Sequence, residues 1–171
     1  EKVHVAVLGN LQANTRIDNQ RIVSMSDSMG GNPVVKLAVV TRGDELAAVV
    51  NRCGAVDGVL SAPAEVFGFL PDMTRAVWAT RAGVDPSDFE AISAAANPVS
   101  LVTQGLLTGD IVTEVPLLSI NTHDDPIASP TDMLLASKAS LNGEVKFMGV
   151  AGHCPDGDEA YITQWIVDRL Q

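Results

Sequence analysis

The stretch that most restricts the fold of this chain lies early, between Arg21 and Ala38. Arg21-Ile22-Val23-Ser24-Met25 is a short, partly β-branched run that suits a buried strand. It passes without a linker into Ser26-Asp27-Ser28-Met29-Gly30-Gly31, and then into Pro33, Val34, Leu37 and Ala38, an apolar stripe at helical spacing. Pro33 is compatible with a helix because it falls in the first turn, where its missing N–H costs no hydrogen bond. Val3, Val7, Leu8 and Leu11 upstream also fit a helix better than an alternating strand, and Leu46-Ala47-Ala48-Val49-Val50 downstream reads as a second strand, closed by Cys53-Gly54. Helix, strand, helix, strand is the order expected of a parallel sheet covered by helices.

The later chain continues that plan after an interruption. Residues 58–113 hold no clear strand, and Phe67, Phe69, Leu70, Met73, Val77 and Trp78 suggest short helices between prolines and glycines, a helical excursion above the sheet. Core packing is the favoured role for Phe67, Phe69 and Trp78 over lining a pocket. Strand character returns at Val115 to Ile120, a helix is expected from Thr131 to Leu141, and Asn142-Gly143 turns the chain into a last strand, Val145 to Val150. A final helix carries Tyr161, Ile162, Trp165, Ile166 and Leu170 on one face, with Asp156, Asp158 and Glu159 where a helix N-terminus favours negative charge. At 171 residues and 46% hydrophobic content, one globular domain with a sizeable core is the expectation.

Charge narrows the partners. A net charge of −10 and a pI near 4.5 argue against a nucleic-acid or anionic-membrane surface and leave small neutral or cationic ligands open. No run of roughly 18 to 20 apolar residues suggests a membrane helix, and Glu1-Lys2-Val3-His4 lacks a signal-peptide plan, so a cytoplasmic location is expected, while any upstream targeting signal would lie outside this sequence. Cys53 and Cys154 are far apart and form no C-x-x-C pair, so they are expected to be buried free thiols, with neither a disulfide nor a metal site.

A serine hydroxyl becomes a useful nucleophile when it is held on a rigid turn beside a base and near backbone donors. Strand, Ser26-x-Ser28-x-Gly30, helix matches the nucleophile elbow G-x-S-x-G, with Ser26 in place of the first glycine. A polar turn capping a helix would explain the same residues without catalysis. The elbow reading gains weight because an acid and then a histidine come after Ser28 in hydrolase order, each in a loop beyond a later strand. Asn121-Thr122-His123-Asp124-Asp125-Pro126-Ile127 succeeds one strand, and Asp125 is preferred to Asp124 as the acid. Ala151-Gly152-His153-Cys154-Pro155 succeeds the last strand, where His153 suits a general base and acid. Of the other histidines, His4 has no such context and His123 is a neighbour of the acid.

These passages together resemble the carboxyl-terminal half of an α/β hydrolase over residues 1–171. Ile17-Asp18-Asn19-Gln20-Arg21-Ile22 followed by Ser28-Met29-Gly30-Gly31 resembles a "VDxxRI…G-x-S-M-G-G" approach to the elbow, joined by Asp124-Asp125-Pro126-Ile127 and Gly152-His153. Within the superfamily the likeness is to the group of the esterase FrsA and 2,6-dihydroxypseudooxynicotine hydrolase, which includes ester-cleaving and carbon–carbon-cleaving enzymes. The resemblance implies that Ser28 attacks a carbonyl, that His153 takes its proton, that Asp125 orients the imidazole, and that the Met29 N–H is one oxyanion donor. It implies a small-molecule ester or ketone substrate and no cofactor.

The same likeness implies earlier strands, a second oxyanion donor and often a helical cap, which are expected upstream of Glu1 and so outside this sequence. About four strands are countable. Half a sheet exposes an unpaired edge, so the expectation is a fragment, a rearranged fold, or a chain completed by a second chain or copy. A non-catalytic binding module on the hydrolase scaffold is the main alternative. A doubly wound nucleotide binder fits poorly, since there is no G-x-G-x-x-G or G-x-x-x-x-G-K-[ST] and Asp27 would repel a phosphate at the Gly30-Gly31 turn.

Overall fold

The computed structural model describes residues 2–41, 45–54, 113–125, 128, 130–154 and 156–171, with residues 83, 85, 87 and 88 between them. Apart from those few positions, the helical excursion expected at 58–113, including Phe67, Phe69 and Trp78, lies outside the described residues.

The described elements are α1 (Lys2–Gln12), β1 (Val23–Asp27), a 3-10 turn (Ser28–Gly30), α2 (Gly31–Lys36), β2 (Ala48–Arg52), β3 (Leu117–Asn121), α3 (Pro130–Ser137), β4 (Gly143–Phe147) and α4 (Glu159–Val167). The strands form one sheet in the order β1-β2-β3-β4, and every pairing is parallel. After α2 the chain widens into a π-helical turn, Leu37–Thr41.

Alternation along the inner strands supplies both faces of the sheet. Val49 and Leu117 pack with Leu8 of α1, Val34 and Val35 of α2, and Met133 and Ala136 of α3. Ala48, Val50, Leu118 and Ile120 point the other way and pack with Ile162 and Trp165 of α4. Burial on both faces is why β2 and β3 read as near-continuous apolar runs. The outer strands β1 and β4 are only partly buried. Parallel strands covered by helices on both faces give the α/β architecture expected from the sequence, with four strands among the described residues.

Element boundaries moved for physical reasons. β2 runs two residues beyond Val50 because its polar side chains find partners inside the fold: the buried Asn51 donates from its Nδ2 to the Gly54 carbonyl, and Arg52 pairs with Asp158. β4 begins at Gly143 and ends at Phe147, so Met148 to Val150 belong to the loop beyond it, where Val150 is 76% exposed. Among the described residues, no helix is long and apolar enough to cross a membrane.

Candidate active site

In a parallel sheet all carboxyl ends lie along one edge, the place where ligands gather in open α/β folds. Here that edge carries Ser28 after β1, Cys53 after β2, Thr122 to Asp125 after β3, and His153 in the loop after β4.

Ser28 has φ of +49°, a left-handed conformation that a non-glycine residue adopts only where its surroundings impose it. The turn closes with the Gly31 N–H donating to the Ser28 carbonyl. A Cβ at Gly30 would fall 2.6 Å from the Ser26 Cβ, and one at Gly31 would fall 2.6 Å from the backbone of Gly54. The departure from the elbow pattern at Ser26 is accommodated in this way: the Ser26 Cβ occupies room that glycine at 30 leaves vacant. Met29, the expected oxyanion donor, is the middle residue of the turn, and its amide comes directly after Ser28.

The structure brings Ser28, His153 and Asp125 into one chain of hydrogen bonds. Ser28 Oγ lies 2.8 Å from His153 Nε2, and His153 Nδ1 lies 2.9 and 3.1 Å from the two carboxylate oxygens of Asp125. An ionised carboxylate only accepts, so a neutral imidazole here carries its hydrogen on Nδ1 and turns the Nε2 lone pair toward the serine hydroxyl. The Asp125 side chain has no exposed surface and that of His153 is 22% exposed. Asp125 Oδ1 also accepts from the Ala128 N–H at 3.0 Å.

Several residues hold this arrangement in roles that the sequence reading did not give them. Asp124 Oδ1 accepts from the N–H groups of Ala151 and Gly152, at 2.9 and 3.0 Å, and so fixes the loop just before His153. The Gly152 amide is the main cause that holds the Asp124 carboxyl below its ordinary range. Thr122 Oγ1 donates to the Gly152 carbonyl at 2.5 Å. Beyond His153, Arg52 Nε contacts both oxygens of the buried Asp158 at 2.8 Å, and that hydrogen bond raises the Arg52 pKa. Asp158, expected simply to favour a helix N-terminus, thus anchors α4 to the end of β2. His123 stands apart from the relay and stacks on Phe147, with ring centroids 4.4 Å apart.

The cysteines correct the sequence reading. Cys53 and Cys154 are joined in a disulfide, with Cα atoms 5.1 Å apart, and are not free thiols. They are separated by 101 residues and meet only because the sheet sets the end of β2 near the loop after β4. Linear spacing contains no trace of that meeting.

A family model described as Esterase FrsA-like matches residues 1–171. The chain belongs to the FrsA-like esterase family. Esterase FrsA from Enterobacter sp. (strain 638) is 30% identical over 171 residues, covering 98% of this chain and 40% of that protein. Esterase FrsA from Klebsiella pneumoniae subsp. pneumoniae is 31% identical over 171 residues with the same coverage. This FrsA-like chain therefore spans about 40% of the length of these curated relatives. Among solved structures, acetyl xylan esterase 1 from Thermoanaerobacterium sp. JW/SL YS485 superposes with a TM-score of 0.68 at 14% identity, over 96% of this chain and 50% of that one. The 2,6-dihydroxy-pseudo-oxynicotine hydrolase superposes at 0.67 and 19% identity, over 99% of this chain and 46% of that one. Both likenesses place the FrsA-like chain in the α/β-hydrolase fold.

Proposed function

We propose that this chain carries the nucleophile, base and acid of a serine hydrolase acting on a small-molecule ester or activated ketone. The observation that carries the reading is the continuous relay from Ser28 Oγ through His153 to the buried Asp125. In the first half-reaction the Ser28 oxygen bonds to the carbonyl carbon while its proton passes to His153 Nε2. The resulting imidazolium is stabilised by Asp125, and the Met29 amide donates to the oxyanion. Collapse of the tetrahedral species expels the leaving group, which takes the proton from Nε2. Water then attacks the acyl-serine, with His153 again receiving and returning a proton.

FrsA-like membership supports an ester over a carbon–carbon bond, since the curated relatives bear the name esterase. The Met29 amide is one donor of an oxyanion pair, and each donor of such a pair typically accounts for about 10²- to 10³-fold in rate. Among the described residues β1 is an edge strand, and we place a second oxyanion donor and a strand pairing along that edge in a companion segment, from the same polypeptide or from a second chain or copy. The cytoplasmic location expected from the sequence sits awkwardly with the disulfide, because disulfides persist mainly in oxidising compartments.

Hydrolysis of a p-nitrophenyl ester by the full-length protein tests the reading. Activity is expected to vanish in Ser28→Ala and in His153→Ala while the fold, monitored by circular dichroism, is retained. Undiminished activity in folded Ser28→Ala would end it.

A further inference from the structure

The disulfide lies against the relay. Cys154 is the next residue after His153, and its Sγ is 3.5 Å from Nε2, the nitrogen that also faces Ser28. Cys53 is fully buried at the end of β2. The two sulfur atoms and a ring nitrogen of His153 all fall within 4.8 Å of one another. With Zn–S near 2.3 Å and Zn–N near 2.0 to 2.1 Å, tetrahedral coordination sets nitrogen and sulfur about 3.5 Å apart. The separation of Cys154 Sγ from His153 Nε2 already has that value. The other ring nitrogen is committed to Asp125, the carboxylate–histidine pairing that fixes tautomer and orientation of a metal-binding imidazole.

We propose that reduction of Cys53–Cys154 opens a three-donor site, Cys53 Sγ, Cys154 Sγ and His153 Nε2, for a thiophilic divalent cation such as Zn²⁺, and that the bound ion withdraws Nε2 from Ser28. The metal site stands on geometry alone. Its inhibitory consequence rests on the serine-hydrolase reading. A dithiol reductant supplies two electrons and two protons to the S–S bond and becomes a disulfide itself, leaving a thiol on each cysteine. Zn²⁺ binding then releases those two protons to solvent, since thiolates are the ligands. His153 contributes its neutral Nε2 lone pair and keeps its Nδ1 hydrogen on Asp125. In the disulfide form the sulfurs are bonded to each other and Nε2 is left to the serine. In a cell compartment that reduces the pair, zinc availability would thus set the fraction of protein with a working relay.

The test compares oxidised and dithiol-reduced full-length protein, freed of reductant without air and equilibrated with Zn²⁺. Metal content is counted by mass spectrometry, and Co²⁺ substitution reports thiolate ligation through its charge-transfer band. One bound Zn²⁺ per chain is expected in the reduced form and none in the oxidised form. Cys53→Ser and Cys154→Ser should each lose it, Ser28→Ala should keep it, and Asp125→Asn should weaken it about 10- to 100-fold, as for other outer partners of metal-bound histidines. Fluorophosphonate labelling of Ser28 in reduced protein should fall as Zn²⁺ saturates and return on chelation. If reduced wild type holds no more Zn²⁺ than the double variant Cys53→Ser/Cys154→Ser, the site does not exist. Stoichiometric Zn²⁺ with unchanged labelling would overturn the competition for His153. If metal-free oxidised protein is not labelled at all, the hydrolase reading fails, and the metal count still decides the site separately.

Discussion

Replacing Asp125 by asparagine changes one atom in the relay and reverses its logic. Asp125 receives two kinds of donor, the Nδ1 hydrogen of His153 and the Ala128 N–H. An asparagine side chain in the same place offers one oxygen and one NH₂ group. If the oxygen stays with Ala128 at the position Oδ1 now holds, 3.0 Å away, the NH₂ group faces Nδ1 and forces that nitrogen to accept. The imidazole hydrogen then moves to Nε2, 2.8 Å from Ser28 Oγ, which can no longer receive the serine proton. The comparable change in other triads costs about 10⁴-fold in kcat, equivalent to about 5.4 kcal/mol. Stability should change little by comparison, because volume is conserved and the Ala128 contact survives. The assay is kcat for ester hydrolysis by the full-length protein, with a melting curve on the same sample. An Asp125→Asn variant that melts like wild type yet retains kcat within about tenfold would refute the assigned role of Asp125.

Three further outcomes are expected. Gly30→Ala should destabilise by about 1 to 3 kcal/mol through overpacking, since its Cβ would sit 2.6 Å from that of Ser26; adding Ser26→Gly should recover most of the loss in urea denaturation. Arg52→Met leaves the carboxylate of Asp158, whose side chain is 1% exposed, without its guanidinium, and should cost about 3 to 5 kcal/mol, whereas the combined Arg52→Met/Asp158→Asn change should be milder. The Asp124 carboxyl is held below its ordinary value of 3.8 by the Gly152 amide first, so its contribution is complete above that value and is lost as pH falls through the lower folded-state value; Asp124→Asn should flatten the acid limb of a pH-resolved denaturation series.

Legible and hidden features of the sequence divide along contact distance. The elbow is legible because its requirements are local: small residues at 26 and 30 and a strand-to-helix change within a few positions of Ser28. Asp125 and His153 are legible through their order after successive strands, although the boundaries of β2 and β4 shifted where polar residues such as Asn51 and Arg52 extend a strand that hydropathy alone would end. The Arg52–Asp158 pair spans 106 residues and the disulfide 101, and neither leaves a local pattern. The division of labour between two adjacent aspartates is hidden for a subtler reason. Asp124 reaches backbone amides of the loop at 151 and 152 while Asp125 reaches the imidazole, and only the path of that loop decides which carboxylate meets which donor.

The central claim, that Ser28 is a nucleophile activated by His153 and Asp125, is tested most directly by mapping a fluorophosphonate adduct in the oxidised full-length protein by peptide mass spectrometry. One adduct on the peptide containing Ser28, absent from Ser28→Ala and strongly reduced in His153→Ala, is the predicted result. An adduct on another serine, or labelling of Ser28 that is indifferent to His153, would contradict it.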